Sequence, residues 1–347
     1  MHPSSPPGTG RDPWADDDAG PSATAPTPRS GPTDAEPPAK RSRPRRFRKS
    51  GEAARRPDDE PDPTEDEVDD EPPVEISRPL SLTVAGFAVL LGIGLVLGAL
   101  TAGPGHRLPF AIILFGVQLL FILAWTMAVR PPALLVVAVV SAGSAVAANV
   151  VAVRSAEPGL APLGYVVVAG FVVAVAGQLV RRTDRARVTD SLGVTLLTVL
   201  GVVAFAGLLV LSRIPAGTQA VTVCLTAAGV ALAVARSTDA VLVWPRLAPQ
   251  VPRAAAGVVI GAMVGTLASA VFGSFLVAPF TPSRAALIGL LAAVTAVLAD
   301  LALGYAEVGR VMAGEPPTMW IARHLQGPLG GFAMAAAAAY PMCRLLL

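Results

Sequence analysis

The sequence predicts an all-α polytopic membrane protein, with about nine transmembrane helices after a disordered N-terminal tail. Three observations lead to this fold class. The chain of 347 residues is 53% hydrophobic, only seven of its 25 acidic residues follow residue 78, and the remaining charges are mostly Arg in short loops. A soluble domain spreads its charges more evenly, whereas a membrane bundle with a polar tail divides them in this way.

The tail, residues 1–78, is rich in Pro, Ser, Thr, Asp and Glu and has too little apolar surface to fold alone. It contains a basic block, "KRSRPRRFRKSGEAARR" (40–56), and an acidic block, "DDEPDPTEDEVDDEPPVE" (58–75). We interpret it as a solvated linker; the alternative is that the basic block lies on anionic lipid headgroups. The acidic block opposes binding to nucleic acid, so no such partner is expected.

The first 30 residues lack the apolar core of a signal peptide, so the first transmembrane helix is expected to direct insertion. Nine later stretches have the roughly 20 apolar residues that a membrane-spanning helix needs. They cover approximately residues 80–102, 108–129, 131–153, 161–180, 191–212, 216–235, 254–278, 285–305 and 328–347. In the seventh, Gly257, Gly261 and Gly265 recur at four-residue spacing, which predicts a close helix-packing face.

The distribution of Arg predicts the orientation, because cytoplasmic loops carry an excess of basic residues. With the tail in the cytoplasm, each outer loop holds one Arg, whereas the inner loops hold Arg130, Arg181, Arg182, Arg185, Arg187, Arg236, Arg246, Arg253, Arg310 and Arg323. The C-terminus is then outside. The excess of Arg over Lys, with abundant Ala, Val, Gly and Pro, indicates a GC-rich genome and therefore a bacterial plasma membrane.

A few acidic residues near the predicted inner face are candidates for chemistry. Asp300 lies within the eighth span, where a carboxylate is costly and by default suggests function. Asp239 follows the sixth span at the same membrane face, and Glu307 would share a helix face with Asp300 if that helix continues. The three carboxylates are candidate ligands of a divalent cation. The structural alternative is that Asp239 caps a short helix and Asp300 pairs with Arg236 or Arg253.

Three segments of the C-terminal part, about 216–347, carry a resemblance: "ALAVARSTDAVLVW", "AAVTAVLADLALGYAEVGR" and "HLQGPLGGFAMAAAAAYPMCRLLL". In order and spacing they resemble the bacterial CDP-diacylglycerol synthases, or phosphatidate cytidylyltransferases. This resemblance implies a multi-pass bundle that pairs as a dimer. It also implies carboxylates that hold Mg²⁺ and position the phosphates of CTP for attack by phosphatidate.

The departures from that family are extensive. Asp300 corresponds to the Asp of the family's Gly-Asp-Leu motif, but Leu303 replaces its Glu, Gly304 replaces its Ser and Glu307 replaces a Lys. The family's His-Gly-Gly falls on Leu329, Gly330 and Gly331, and its Asp-Arg-x-Asp falls on Met334, Ala335, Ala336 and Ala337. The loop "PRLAPQVPR" lacks the Ser-Pro-Lys-Lys run. Because each lost contact to the transition state costs several kcal/mol, we predict an inactive relative with no catalytic residues.

Three functions remain open at this point. The first is a non-enzymatic pseudoenzyme that binds lipid or joins a partner, as a homodimer or as a heterodimer with an active synthase, and needs no cofactor. The second is an active Mg²⁺-dependent transferase with relocated ligands: Asp239, Asp300 and Glu307 for the metal, and Arg236, Arg253 and Arg323 for phosphates. The third is a transporter of small solutes or lipid, although no inverted repeat is apparent. Convergence of spans six, eight and nine on a polar funnel around Asp239 and Asp300 would support transferase ancestry and a binding role, whereas a dry, Ala-packed interface there would leave only a structural scaffold.

Overall fold

The computed structural model describes residues 77–102, 106–180, 187–242, 244–248, 250–316 and 318–346. The predicted tail, with its basic and acidic blocks, lies outside the described residues except for its last two positions, Ser77 and Arg78.

Nine α-helices make up the secondary structure of the described ranges, and all nine are long and apolar enough to cross a membrane. The chain is therefore a multi-pass integral membrane protein, and the prediction of an all-α bundle with nine spans is confirmed. The helices are α1 (Arg78–Leu100), α2 (Leu108–Val129), α3 (Leu134–Arg154), α4 (Ala161–Val180), α5 (Val188–Leu211), α6 (Gly217–Val241), α7 (Ala255–Gly273), α8 (Pro282–Met312) and α9 (Trp320–Leu346).

The helix ends follow local chemistry. Pro occupies one of the first two positions of α1, α2 and α8, where its missing N–H removes no helical hydrogen bond. Thr281 caps α8 by accepting a hydrogen bond from the Arg284 N–H at 3.3 Å. Arg130 adopts a left-handed conformation, with φ of 46°, and ends α2.

Three helices extend beyond the apolar stretches. Helix α6 continues to Val241 and so contains Asp239, which the sequence placed just after the span. Helix α8 continues to Met312 and carries both Asp300 and Glu307. Helix α9 begins at Trp320, well before the predicted start at 328, and includes Arg323. These polar turns can be helical because their charged side chains find partners on neighbouring helices.

The bundle contains two groups of helices joined by α9. Helix α6 packs against α1, α7, α8 and α9, while α2, α3, α4 and α5 pack mainly against one another. Helix α9 contacts α2 and α5 of the second group as well as α6 and α8. A single large apolar cluster runs through both groups and includes Phe110, Phe205 and Phe332. Apolar side chains also cover the outside of the bundle, as expected of a surface that contacts lipid tails.

The glycine face of α7 is a packing face, as predicted. Gly257, Gly261 and Gly265 are buried against α6. A Cβ atom on Gly261 would lie 2.6 Å from the Ala231 carbonyl oxygen, and one on Gly265 would lie 2.6 Å from that of Ala227. Because only glycine permits this approach, the two backbones meet along three successive turns.

Candidate functional site

Four charged residues from three elements converge at one end of the bundle. The last turns of α6 carry Arg236 and Asp239, the segment before α7 carries Arg253, and α8 carries Asp300. Helix α9 closes the group at Gly327, where a Cβ atom would collide with the Asp300 carboxylate. Helices α6, α8 and α9 therefore meet around Asp300, an arrangement that the sequence left open. We call these four charged residues the ion-pair cluster.

Asp300 lies at the centre of the ion-pair cluster and its side chain is completely buried. One carboxylate oxygen, Oδ1, accepts a hydrogen bond from Nη2 of Arg236. The other, Oδ2, accepts one from Nη1 of Arg253 at 2.6 Å. A carboxylate within a membrane-spanning helix is stable only with such partners, because an unpaired buried charge costs several kcal/mol.

Arg253 connects the two carboxylates of the cluster. Its Nε lies 3.0 Å from Oδ2 of Asp239, and its side chain is only 2% exposed. The other oxygen of Asp239 accepts a hydrogen bond from the backbone N–H of Ala254 at 3.0 Å. Burial by itself would lower the pKa of Arg253, but the carboxylates of Asp300 and Asp239 outweigh it and raise that pKa. Arg253 is therefore charged, and the formal charges of the two Asp and two Arg of the cluster sum to zero.

Glycines make room for both carboxylates. A Cβ atom on Gly257 of α7 would collide with Oδ1 of Asp239, just as one on Gly327 of α9 would collide with Asp300. The cluster is therefore built into the closest helix contacts of the bundle. The sequence predicted the packing role of Gly257 from its spacing, but it gave no sign that Gly257 and Gly327 border the carboxylates.

Glu307 belongs to a second, more exposed group of charges. It accepts hydrogen bonds from Nη2 of Arg310 at 2.5 Å and from Nη1 of Arg323. Arg310 also donates to the Ala128 carbonyl oxygen at the end of α2, at 2.7 Å. The predicted shared helix face of Asp300 and Glu307 is present on α8, but each carboxylate binds its own pair of guanidinium groups. The side chain of His324 lies close enough to Arg236, Arg323 and Glu307 to interact with their charges.

The site residues named as metal ligands are thus divided between two groups of ion pairs. Asp239 and Asp300 share Arg253, whereas Glu307 contacts neither of them. The described ranges contain no group of three or more His, Cys, Asp or Glu side chains that could hold a metal ion. A metal site formed by Asp239, Asp300 and Glu307 stays a prediction, and it would require these ion pairs to open.

The three Arg predicted to bind phosphates have buried N–H groups that are not used in hydrogen bonds to the described residues. The Nε atoms of Arg236 and Arg323 and the Nη2 atom of Arg253 are buried and have no hydrogen-bond acceptor within the part of the chain that the structure describes. Buried donors without a partner are uncommon in proteins and mark places where an anion or water can bind. Phosphate binding by these three Arg stays a prediction that this geometry permits.

Several positions that the sequence resemblance matched to catalytic residues lie in apolar packing. Leu329, Ala335 and Ala336 are buried in the main apolar cluster. Leu303 packs close to Gly330 of α9, since a Cβ atom there would lie 2.7 Å from its Cδ1. Met334 instead projects to the outside of the bundle, with 49% of its surface exposed.

Sequence reasoning missed the ion pair of Arg310 with Glu307, although a separation of three residues is a usual spacing of a helical ion pair.

Sequence reasoning also missed a buried amide pair within the second group of helices. Asn149 of α3 donates to Gln118 of α2 at 2.6 Å, and Gln118 donates to the Val202 carbonyl oxygen at 2.7 Å. The signal for this pair was the presence of single amides in otherwise apolar spans.

Comparisons of the chain with protein-family models, with curated proteins and with solved structures found no match.

Proposed function

We propose that this protein is a non-catalytic membrane protein with a cytidylyltransferase-like bundle, and that it acts by binding lipid or a partner subunit. The observation that carries the proposal is the neutral, buried ion-pair cluster around Asp300. In an active transferase, carboxylates at this place would face Mg²⁺ and the phosphates of CTP. Here both oxygens of Asp300 bind guanidinium groups of the same chain.

The surroundings of the cluster also support this proposal. Phosphoryl-transfer chemistry depends on metal ions and cations placed around the reacting phosphate. The positions aligned with the family's His and with its Asp-Arg-x-Asp are occupied by Leu329 and by Met and Ala side chains, several of them in the apolar core. Such side chains cannot bind a phosphate or a metal. The cluster therefore serves to hold α6, α8 and the start of α7 together.

A direct assay tests the proposal. Purified full-length protein in lipid nanodiscs is supplied with CTP, Mg²⁺ and phosphatidate, and released pyrophosphate is measured. We expect no release above that of empty nanodiscs. Pyrophosphate release above that background that depends on added phosphatidate would overturn the proposal.

The unpartnered N–H groups of Arg236, Arg253 and Arg323 favour a second candidate, an active transferase with relocated ligands. In that case Asp239, Asp300 and Glu307 would bind Mg²⁺ after the ion pairs open, and the three Arg would bind phosphates. The same assay separates the two candidates, since only the second gives product.

The partner itself is tested by purification. A tagged copy extracted in mild detergent is examined for an active synthase or for a second, differently tagged copy of the chain. The proposal expects one of these two complexes, or retention of a lipid. Recovery of a lipid-free monomer alone would contradict the binding role.

A further inference from the structure

A polar cavity lies at the end of the bundle opposite the ion-pair cluster. It has a volume of about 360 Å³ and lies between the end of α1, the start of α2 and the turn from α5 to α6. Its lining residues are Ala102, Arg107, Ser212, Arg213, Ile214, Pro215 and Thr218. Thr218 and Asp239 are at opposite ends of α6, about 32 Å apart at 1.5 Å per residue. The Arg counts predict that this end faces outward.

Two guanidinium groups line this cavity. Arg213 donates from Nη1 to the Ala152 carbonyl at 2.8 Å and to the Ser155 hydroxyl at 2.6 Å, and from Nη2 to the Ser155 carbonyl at 2.6 Å. Its Nε is buried without a hydrogen-bond partner. Arg107 donates from Nη1 to the Val153 carbonyl at 3.3 Å, and this is its only side-chain hydrogen bond to the described residues. Hydrogen bonds thus fix both side chains at the end of α3. Each guanidinium group still has N–H groups that are available to a ligand.

Among the described residues, no carboxylate forms an ion pair with the guanidinium groups of this cavity. Neither Arg107 nor Arg213 forms an ion pair with an acidic side chain of the described residues, and the exposed Glu157 nearby forms none. Burial, together with the like charge of Arg107, lowers the pKa of Arg213. The carbonyl oxygens at the end of α3 offset part of this charge, but they carry only partial negative charges.

Two helices also begin at the cavity. Helix α2 starts after Arg107 and α6 starts after Ala216, and among the described residues neither N-cap side chain accepts a hydrogen bond. Pro109 has no N–H, and the Gly217 N–H donates to the Ile214 carbonyl oxygen at 2.9 Å, so the later N–H groups of each first turn are the ones left for a ligand. Because Arg107 and Thr218 line the cavity, the positive ends of both helix dipoles lie beside it.

We propose that this cavity binds a phosphate group. A phosphate is the anion that matches paired guanidinium groups and uncapped helix N-termini, and the cavity volume falls in the range of small ligand sites. The phosphate belongs either to the headgroup of an anionic phospholipid in the adjoining leaflet or to a soluble phosphate compound. This site is independent of the proposed function of the ion-pair cluster.

The experiment has two arms, which distinguish these sources. In the first, full-length protein is reconstituted into nanodiscs of phosphatidylcholine with phosphatidylglycerol, and the lipid retained after extraction is counted by native mass spectrometry. In the second, inorganic phosphate is titrated against protein in phosphatidylcholine alone, with the apparent unfolding temperature as the readout. Selective retention of phosphatidylglycerol identifies a lipid headgroup, and a response to inorganic phosphate identifies a soluble compound.

Arg107→Gln is the principal variant, because this side chain makes a single hydrogen bond to the described residues. We expect it to weaken either response by about tenfold, since it removes a charge-assisted hydrogen bond to phosphate. Arg284→Gln is the matched control: Arg284 lies at the same end, outside the cavity, and also donates to one carbonyl, that of Pro279 at 3.0 Å. Arg213→Lys, which keeps the charge, should also weaken binding. Equal responses of the wild type, Arg107→Gln and Arg284→Gln in both arms would overturn the proposal.

Discussion

The residue type of Asp300 suggests a functional site, whereas its contacts indicate a structural role. A carboxylate within a membrane span suggests a metal or proton site when only its sequence neighbours are known. Its contacts give a different account, because Arg236 and Arg253 each bind one of its oxygens. The sequence had offered these two Arg as the structural alternative. It could not choose between that alternative and a metal, since the choice depends on distances across α6, α8 and the start of α7.

Replacing Asp300 by Asn should therefore destabilise the protein strongly. The substitution leaves Arg236 and Arg253 as buried charges without their shared partner, at a cost of about 3–5 kcal/mol. Glu307→Gln is the comparison, because Glu307 is 26% exposed and its ion pairs are partly solvated. It should cost about 1 kcal/mol or less. Equilibrium unfolding in detergent measures both.

A second substitution distinguishes lost charge balance from a packing defect. Adding Arg236→Gln to Asp300→Asn removes one of the uncompensated charges and should recover part of the lost stability. Equal losses for Asp300→Asn and Glu307→Gln, or no recovery in the double variant, would contradict the description of the cluster as a neutral structural unit.

At the scale of the helix, close packing and charge placement depend on each other. The glycine face of α7 brings its backbone against α6, and the first of these glycines, Gly257, borders Asp239. Four-residue spacing of small residues was enough to predict the packing face. The neighbouring helix could not be predicted in the same way, because several spans contain small residues and nothing in one sequence specifies which of them pair.

Gly261→Ala should accordingly destabilise the bundle by about 1–3 kcal/mol, because the added methyl group meets backbone and forces α6 and α7 apart. Gly94→Ala is the control on α1, where a Cβ atom would have no neighbour within 4 Å. It should be neutral, or stabilising by about 0.5–1 kcal/mol through helix propensity. Thermal unfolding of both variants in the same detergent measures the difference, and tolerance of Gly261→Ala would contradict the α6–α7 contact.

The whole molecule has two chemically different ends. The end that carries the ion-pair cluster also carries Glu307, Arg310 and Arg323, whereas the opposite end carries the cavity with Arg107 and Arg213. The excess of Arg predicts that the first end faces the cytoplasm. The order of the nine helices agrees with this division, because successive connections alternate between the two ends.

Labelling of single cysteines tests this orientation. Cys224 and Cys343 are buried and are first replaced by Ala. Ser274→Cys and Ala313→Cys are then introduced at exposed positions after α7 and α8. A membrane-impermeant maleimide should label only Ser274→Cys in intact cells and both variants after lysis. Labelling of Ala313→Cys alone in intact cells would reverse the orientation, and equal labelling would contradict a fixed one.

The sequence by itself determined the fold class and the approximate positions of the nine helices. A backbone within lipid must satisfy its own hydrogen bonds, which favours helices. About 20 apolar residues in a helix suffice to cross the hydrocarbon core, so the spans can be read from the sequence. It also named six candidate charges, which are Asp239, Asp300, Glu307, Arg236, Arg253 and Arg323. Only the tertiary structure decided that the four residues of the ion-pair cluster neutralise one another, that Glu307 pairs with Arg310 and Arg323 instead, and that Arg107 and Arg213 share a cavity. The reason is physical: the energy of a buried charge depends on partners within a few ångströms, and apart from Arg310 those partners come from segments distant in the chain.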